Sequence, residues 1–146
     1  MSQQPPGAHA ADPGPSKARA GYILLVDDEE PSVEVIVSLY QDGEGYEVLT
    51  ARTSQQAVEL APPEAPAFIL LDVNLREESP ADAVATLRAH PALARAPLVL
   101  FSGDARTSDL MAQLGAVEWL RKPYEMADAV ELAERLGAVR RYPPRF

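Results

Sequence analysis

The chain predicts an α/β fold, a five-stranded parallel sheet doubly wound as (βα)5. Three observations carry this. The runs Tyr22-Ile-Leu-Leu-Val26, Phe68-Ile-Leu-Leu71 and Pro97-Leu-Val-Leu-Phe101 are continuously apolar, as strands buried on both faces are. Segments with helical spacing or helix punctuation separate the strands, at the length of right-handed crossovers. The first two runs end in carboxylates, Asp27-Asp28 and Asp72, and in open parallel sheets chemistry collects at the carboxyl ends of strands.

In order along the chain, the first strand spans about 22–26. A helix follows from Pro31, well placed at a first helical position, to about Asp42, and Gly43-Glu-Gly45 breaks it. On that helix Val33, Ile36, Val37 and Tyr40 form an i, i+3, i+4, i+7 stripe for the core. Val35 and Leu39 lie off the stripe and are candidates for a docking patch. Tyr46–Thr50 alternates like a short strand, 54–60 suits a short helix ended by Pro62-Pro63, and the third strand covers about 67–71. Ser79-Pro-Ala-Asp82 has the order of a capping box with Asp in place of Glu, opening a helix to about Ala89. The fourth strand, 97–101, leads into Ser102-Gly103. A helix from Thr107 to Leu114 stops at Gly115. Ala116–Leu120 is the fifth strand, followed by Lys122-Pro123 and a last helix over about 125–136.

With 146 residues, 47% of them hydrophobic, the chain suits one domain with a full core. It has no cysteine, which excludes disulfides and thiolate metal sites. Residues 1–20 are rich in Pro, Ala, Gly and Gln without an apolar run. They read as a disordered tail rather than a signal peptide or membrane anchor, with a cytoplasmic location as the default. The net charge of −9 is uneven. Residues 1–20 carry +1 and the short basic tail 140–146 carries +3, so the body at 21–139 carries −13. Such a body lacks the clustered cations that bind nucleic acid. The tail reads as a solvated end, with contact to an acidic partner as the functional alternative.

If the strands are parallel, their ends bring Asp27, Asp28, Asp72, Ser102 and Lys122 to one crevice. Any one of these has an ordinary reading: a solvated strand end for the acid pair, a turn former for Ser102 or Asn74, a helix cap for Asp104. Together they are three acids, a small hydroxyl and an amine, a set that suits Mg²⁺ and a phosphoryl group. A carboxylate beside such a cation can serve as a nucleophile toward phosphorus. His9 and His90 have no ligand set around them.

The stretches Leu24-Leu-Val-Asp-Asp-Glu-Glu-Pro31, Leu70-Leu-Asp-Val-Asn-Leu75, Leu100-Phe-Ser-Gly103 and Lys122-Pro123 resemble a bacterial response-regulator receiver domain, of the stand-alone, chemotaxis type. The resemblance covers about 21–138 and implies the flavodoxin-like strand order 2-1-3-4-5. It implies that Asp72 accepts a phosphoryl group from a histidine kinase or histidine phosphotransfer protein. It further implies that Asp28 ligates Mg²⁺ directly, that Asp27 assists through water, and that Asn74 offers its backbone carbonyl. Ser102 and Lys122 would bind the phosphoryl oxygens, with Lys122–Pro123 cis. Ser102 and Trp119 would form the switch, and Asn74 and Asp104 would tune phosphoryl lifetime.

The chain departs from the family pattern at Arg76, where proline is usual, and at Pro80, where glycine is usual. The turn there is expected to have altered geometry, with Glu77 and Glu78 adding charge nearby. Trp119 replaces the usual Tyr or Phe, and the Ser102–Lys122 segment is two residues shorter than typical, which reshapes the fourth helix. Output is expected through an unknown downstream protein, without nucleic acid or membrane. The alternative is a pseudo-receiver, a phosphorylation-independent binding or dimerisation module. An aspartyl phosphohydrolase is a third reading, and it lacks the second acid such enzymes carry two residues after the nucleophile.

Overall fold

The computed structural model describes residues 19–143; most of the 1–20 tail, and 144–146 of the basic tail, lie outside the described residues. Strands and helices alternate as β1 (Ile23–Val26), α1 (Glu30–Val37), β2 (Val48–Ala51), α2 (Ser54–Leu60), β3 (Phe68–Asp72), α3 (Pro80–Arg88), β4 (Leu98–Ser102), α4 (Thr107–Leu114), β5 (Glu118–Arg121) and α5 (Met126–Arg135). All neighbours in the sheet are parallel, in the order β2-β1-β3-β4-β5. The expected fold class and strand order are therefore the observed ones.

The pleat sorts alternate residues into two cores. Leu24, Val26, Ile69, Leu71, Leu98 and Leu100 pack under α2, α3 and α4. Ile23, Leu25, Phe68, Leu70, Val99 and Phe101 pack under α1 and α5. This two-sided burial is why the central strands show no polar alternation. The Tyr40 hydroxyl donates to the Ala129 carbonyl at 2.7 Å, tying the end of the first helical segment to α5.

Helix α1 is shorter than expected. From Ser38 to Gly43 it widens into a π-type turn, closed by the Glu44 N–H on the Leu39 carbonyl. The buried stripe is Ile36, Leu39 and Tyr40, while Val33 and Val37 are half-buried. Leu39 thus belongs to the core edge, and of the expected patch only Val35 is exposed. Both still line an apolar groove of about 650 Å³ with Pro123, Tyr124 and Met126.

The basic tail is not simply a solvated end. Val139 N–H donates to the Gly21 carbonyl, Arg141 N–H to the Gly45 carbonyl, and Tyr46 bridges Arg140 in antiparallel fashion. Arg140 pairs with Glu44 at 2.8 Å and Glu134 at 3.4 Å, and lies over the Tyr46 ring at 4.8 Å. The acidic body supplies partners that composition alone does not place. Gly45 permits this docking: its φ is +80°, and a Cβ there would collide with the Tyr142 carbonyl.

Candidate functional site

The parallel register aligns the carboxyl ends of β1, β3, β4 and β5. Asp72 is the last residue of β3 and lies opposite Phe101; Ser102 is the last of β4 and lies opposite Arg121. Asp27-Asp28 follow β1, and Lys122 follows β5. Glycine at 103 lets the ends of β4 and β5 approach, since a Cβ there would stand 2.9 Å from the Lys122 carbonyl. The Lys122–Pro123 peptide is cis, as expected.

One oxygen from each of Asp27, Asp28 and Asp72 falls within 4.8 Å of the other two. Asp27 and Asp72 are buried. Each of the three carboxylates is oriented by one backbone N–H. Glu29 N–H donates to Asp27 Oδ1 at 2.9 Å, Arg76 N–H to Asp28 Oδ2 at 3.0 Å, and Asn74 N–H to Asp72 Oδ1 at 3.0 Å. The second Asp27 oxygen, Oδ2, is buried without a hydrogen-bond donor among the described residues. Its nearest cation is Lys122 Nζ at 3.9 Å, which rests over the Phe101 ring at 4.1 Å.

Three clustered acids facing one amine leave negative charge uncompensated. Burial, more than the neighbouring Asp27 charge, pushes the Asp72 carboxyl up to about 6; the Asn74 N–H and Lys122 pull the other way. An orphaned buried carboxylate oxygen within a hard-oxygen set is what a small divalent cation satisfies. The residues present therefore fit Mg²⁺.

Ser102 is buried. Its Oγ accepts from the Asp104 N–H at 2.9 Å, and its carbonyl accepts from the Lys122 N–H at 3.0 Å and from Trp119 Nε1 at 2.9 Å. Trp119 is half-buried, with the Arg121 guanidinium 4.6 Å from its ring centroid. Asn74 is exposed at the rim.

A family model described as the response regulator receiver domain matches residues 23–134. The chain belongs to this receiver family. Members are phosphoacceptors of two-component signalling rather than conventional enzymes. The receiver is 31% identical over 121 residues to the transcriptional regulatory protein KdpE of Mycobacterium tuberculosis, an alignment covering 82% of this chain and 51% of the relative. It is 28% identical over 116 residues to the photosynthetic apparatus regulatory protein RegA of Cereibacter sphaeroides, covering 80% of this chain and 61% of that one. The chain thus spans about half to three-fifths of the length of these relatives. Among solved structures, the receiver domain of sensor histidine kinase PA1611 from Pseudomonas aeruginosa superposes with a TM-score of 0.70 at 26% identity, covering 82% of this chain and 99% of that one. That structure has a magnesium ion coordinated in its active-site cleft. Chemotaxis protein CheY4 of Vibrio cholerae gives a TM-score of 0.70 at 25% identity, with the same coverage.

Two expectations about the receiver's loops change. Asp104 is not the cap of α4, because Arg106 occupies that position without a side-chain cap. The Asp104 carboxylate instead takes the Arg106 N–H and guanidinium, whose hydrogen bonds hold it below the usual carboxylate range. Glu78 is tied to the start of α2 rather than left loose in the turn. Its carboxylate receives the Ser54 N–H at 2.7 Å and the Ser54 hydroxyl at 2.6 Å. The contact spans 24 residues of sequence and joins a loop to a helix end, so no local pattern announces it.

Proposed function

We propose that this receiver accepts a phosphoryl group on Asp72 and passes the signal on through protein contacts. The observation that carries the reading is the convergence of three carboxylates, each oriented by a backbone N–H on one oxygen, beneath Lys122 and beside Ser102. An Asp72 oxygen attacks phosphorus, the bond from phosphorus to the donor nitrogen or oxygen breaks, and the leaving group takes the electron pair. The donor would be a histidine kinase or histidine phosphotransfer protein, or a small acyl phosphate.

Asp27, Asp28 and Asp72 would hold Mg²⁺, with the Asn74 carbonyl at the rim. When bound, Mg²⁺ offsets the negative charge on the carboxylates and the phosphoryl oxygens. Lys122 carries a second positive charge to the same place, and the Ser102 hydroxyl proton is available to a phosphoryl oxygen, since its Oγ only accepts from Asp104. Asp104, held by Arg106, and Asn74 would govern water access to the acyl phosphate. Drawing the Ser102 hydroxyl toward the phosphoryl group would load the hydrogen bond between its carbonyl and Trp119, which passes the change to the surface of β5.

Incubating the protein with acetyl phosphate and millimolar Mg²⁺ should add one phosphoryl group, and the Asp72→Ala variant should take none. Failure of the wild type to label sinks the reading. An unaltered downstream interaction in Asp72→Ala would favour the pseudo-receiver instead.

A further inference from the structure

We propose that Glu78 is a positioning residue for the acidic pocket, acting by pinning the β3–α3 loop to the start of α2; its purpose, though not its geometry, rests on the phosphoacceptor reading. Two of the three N–H groups that orient the pocket carboxylates, those of Asn74 and Arg76, belong to this loop. Asn74, Arg76 and Glu77 are all exposed, so much of the segment between β3 and α3 faces solvent. A solvated loop keeps two hydrogen bonds aimed at carboxylates only if other points hold it.

Leu75 packs on the core beside α2–α4, and Glu78 provides the polar anchor. Both oxygens of its carboxylate are used, one on the Ser54 N–H and one on the Ser54 hydroxyl. Ser54 is only 2% exposed and begins α2, so the loop is fastened to a rigid part of the body. Glu78 stands two residues from Arg76, whose N–H sets the orientation of Asp28. Neighbouring Glu77 is exposed and makes no such contact among the described residues. Arginine at 76 matters for the same reason, because a proline there would bring no N–H to Asp28.

The test uses amide exchange in the metal-free protein together with Mg²⁺ affinity by calorimetry. In Glu78→Ala the Arg76 amide should exchange about tenfold faster and Mg²⁺ should bind about fivefold or more weakly, while amides of β1 and β3 keep their protection. Glu78→Gln, which retains an acceptor for Ser54, should recover most of both losses. Glu77→Ala should stay within about twofold of wild type. Ser54→Ala, which spares the N–H contact, should give a smaller change of the same kind, and adding it to Glu78→Ala should cost nothing further.

The proposal is overturned if Arg76 exchange in Glu78→Ala lies within about twofold of wild type, or if Glu77→Ala produces an equal change. It is also overturned if exchange rises uniformly through the sheet, because Glu78 would then support global stability alone. A wild type that takes no phosphoryl group would refute the phosphoacceptor reading, and the Arg76 exchange would still decide the role of Glu78.

Discussion

The two ends of the sheet treat charge in opposite ways. At the amino end, Arg140 is shared between Glu44 and Glu134, and Arg141 lies 3.7 Å from Glu47 while its N–H binds the Gly45 carbonyl. Acids there have arginines as partners. At the carboxyl end, three acids cluster near a single lysine, whose Nζ lies 3.9 Å from Asp27 Oδ2, and that buried oxygen has no hydrogen-bond donor among the described residues. At the amino end these arginines are matched to acids, whereas in the carboxyl-end pocket three acids share one lysine. In the pocket the cost of unmatched negative charge falls where a cation and a phosphoryl group would be received.

The contrast predicts that mutations at the two ends shift stability in opposite directions. The largest effect should come from Gly45→Val, which puts a side chain at positive φ against the Tyr142 carbonyl. Urea unfolding should show a loss of roughly 3 kcal/mol. Asp72→Asn should do the reverse in metal-free protein, raising stability at pH 7.5 by about 1–2 kcal/mol. The sign follows from the raised folded-state value of about 6. Below the ordinary carboxylate range the group is protonated in both states and costs nothing. Between the ordinary value of 3.8 and about 6 the unfolded chain ionises this acid while the folded state keeps it protonated, so the cost builds through that window and is complete above it. The advantage of Asp72→Asn should therefore hold steady above about 6 and shrink as pH falls from there toward 4, and a gain unchanged across that window would show that charge is not its cause.

The same ionisation predicts that Mg²⁺ binds progressively more weakly as pH falls below about 6, because metal and proton compete for Asp72. Calorimetry across pH 5–8 would expose a flat profile if this is wrong. The smallest effect belongs to the amino end. Arg140→Ala should cost about 0.5–1 kcal/mol, the modest value of partly exposed pairs, and leave Mg²⁺ affinity unchanged. A shift in Mg²⁺ affinity on Arg140→Ala would break the independence of the two ends.

Most of the fold was legible because the central strands advertise double-sided burial, and because Gly115 and Pro31 punctuate helices in ordinary ways. The members of the candidate pocket were legible because each sits directly at a strand end, where parallel register brings them together without further information. What escaped the sequence depends on contacts between distant segments. Leu39 stands at i+3 from Ile36 and so belongs to a second helical stripe with Tyr40, and only packing against α5 and the sheet selects that stripe over the one through Val33 and Val37. Glu78 meets Ser54 across two loops, and the Arg140 and Arg141 side chains find acids on segments far along the chain. Asp104 could be read as a cap because Asp favours both caps and turns; only the placement of Arg106 separates them.

The hydrogen bond from the Trp119 indole to the Ser102 carbonyl gives the molecule its own optical readout. Trp119 is the one tryptophan of the chain, so all indole emission comes from a ring fastened to the backbone of Ser102, at the end of the strand next to that of Asp72. A change in that bond alters the polarity sensed by the indole and shifts its emission. Any pocket event that disturbs this bond would then be timed in stopped-flow without attaching a label or altering a single residue.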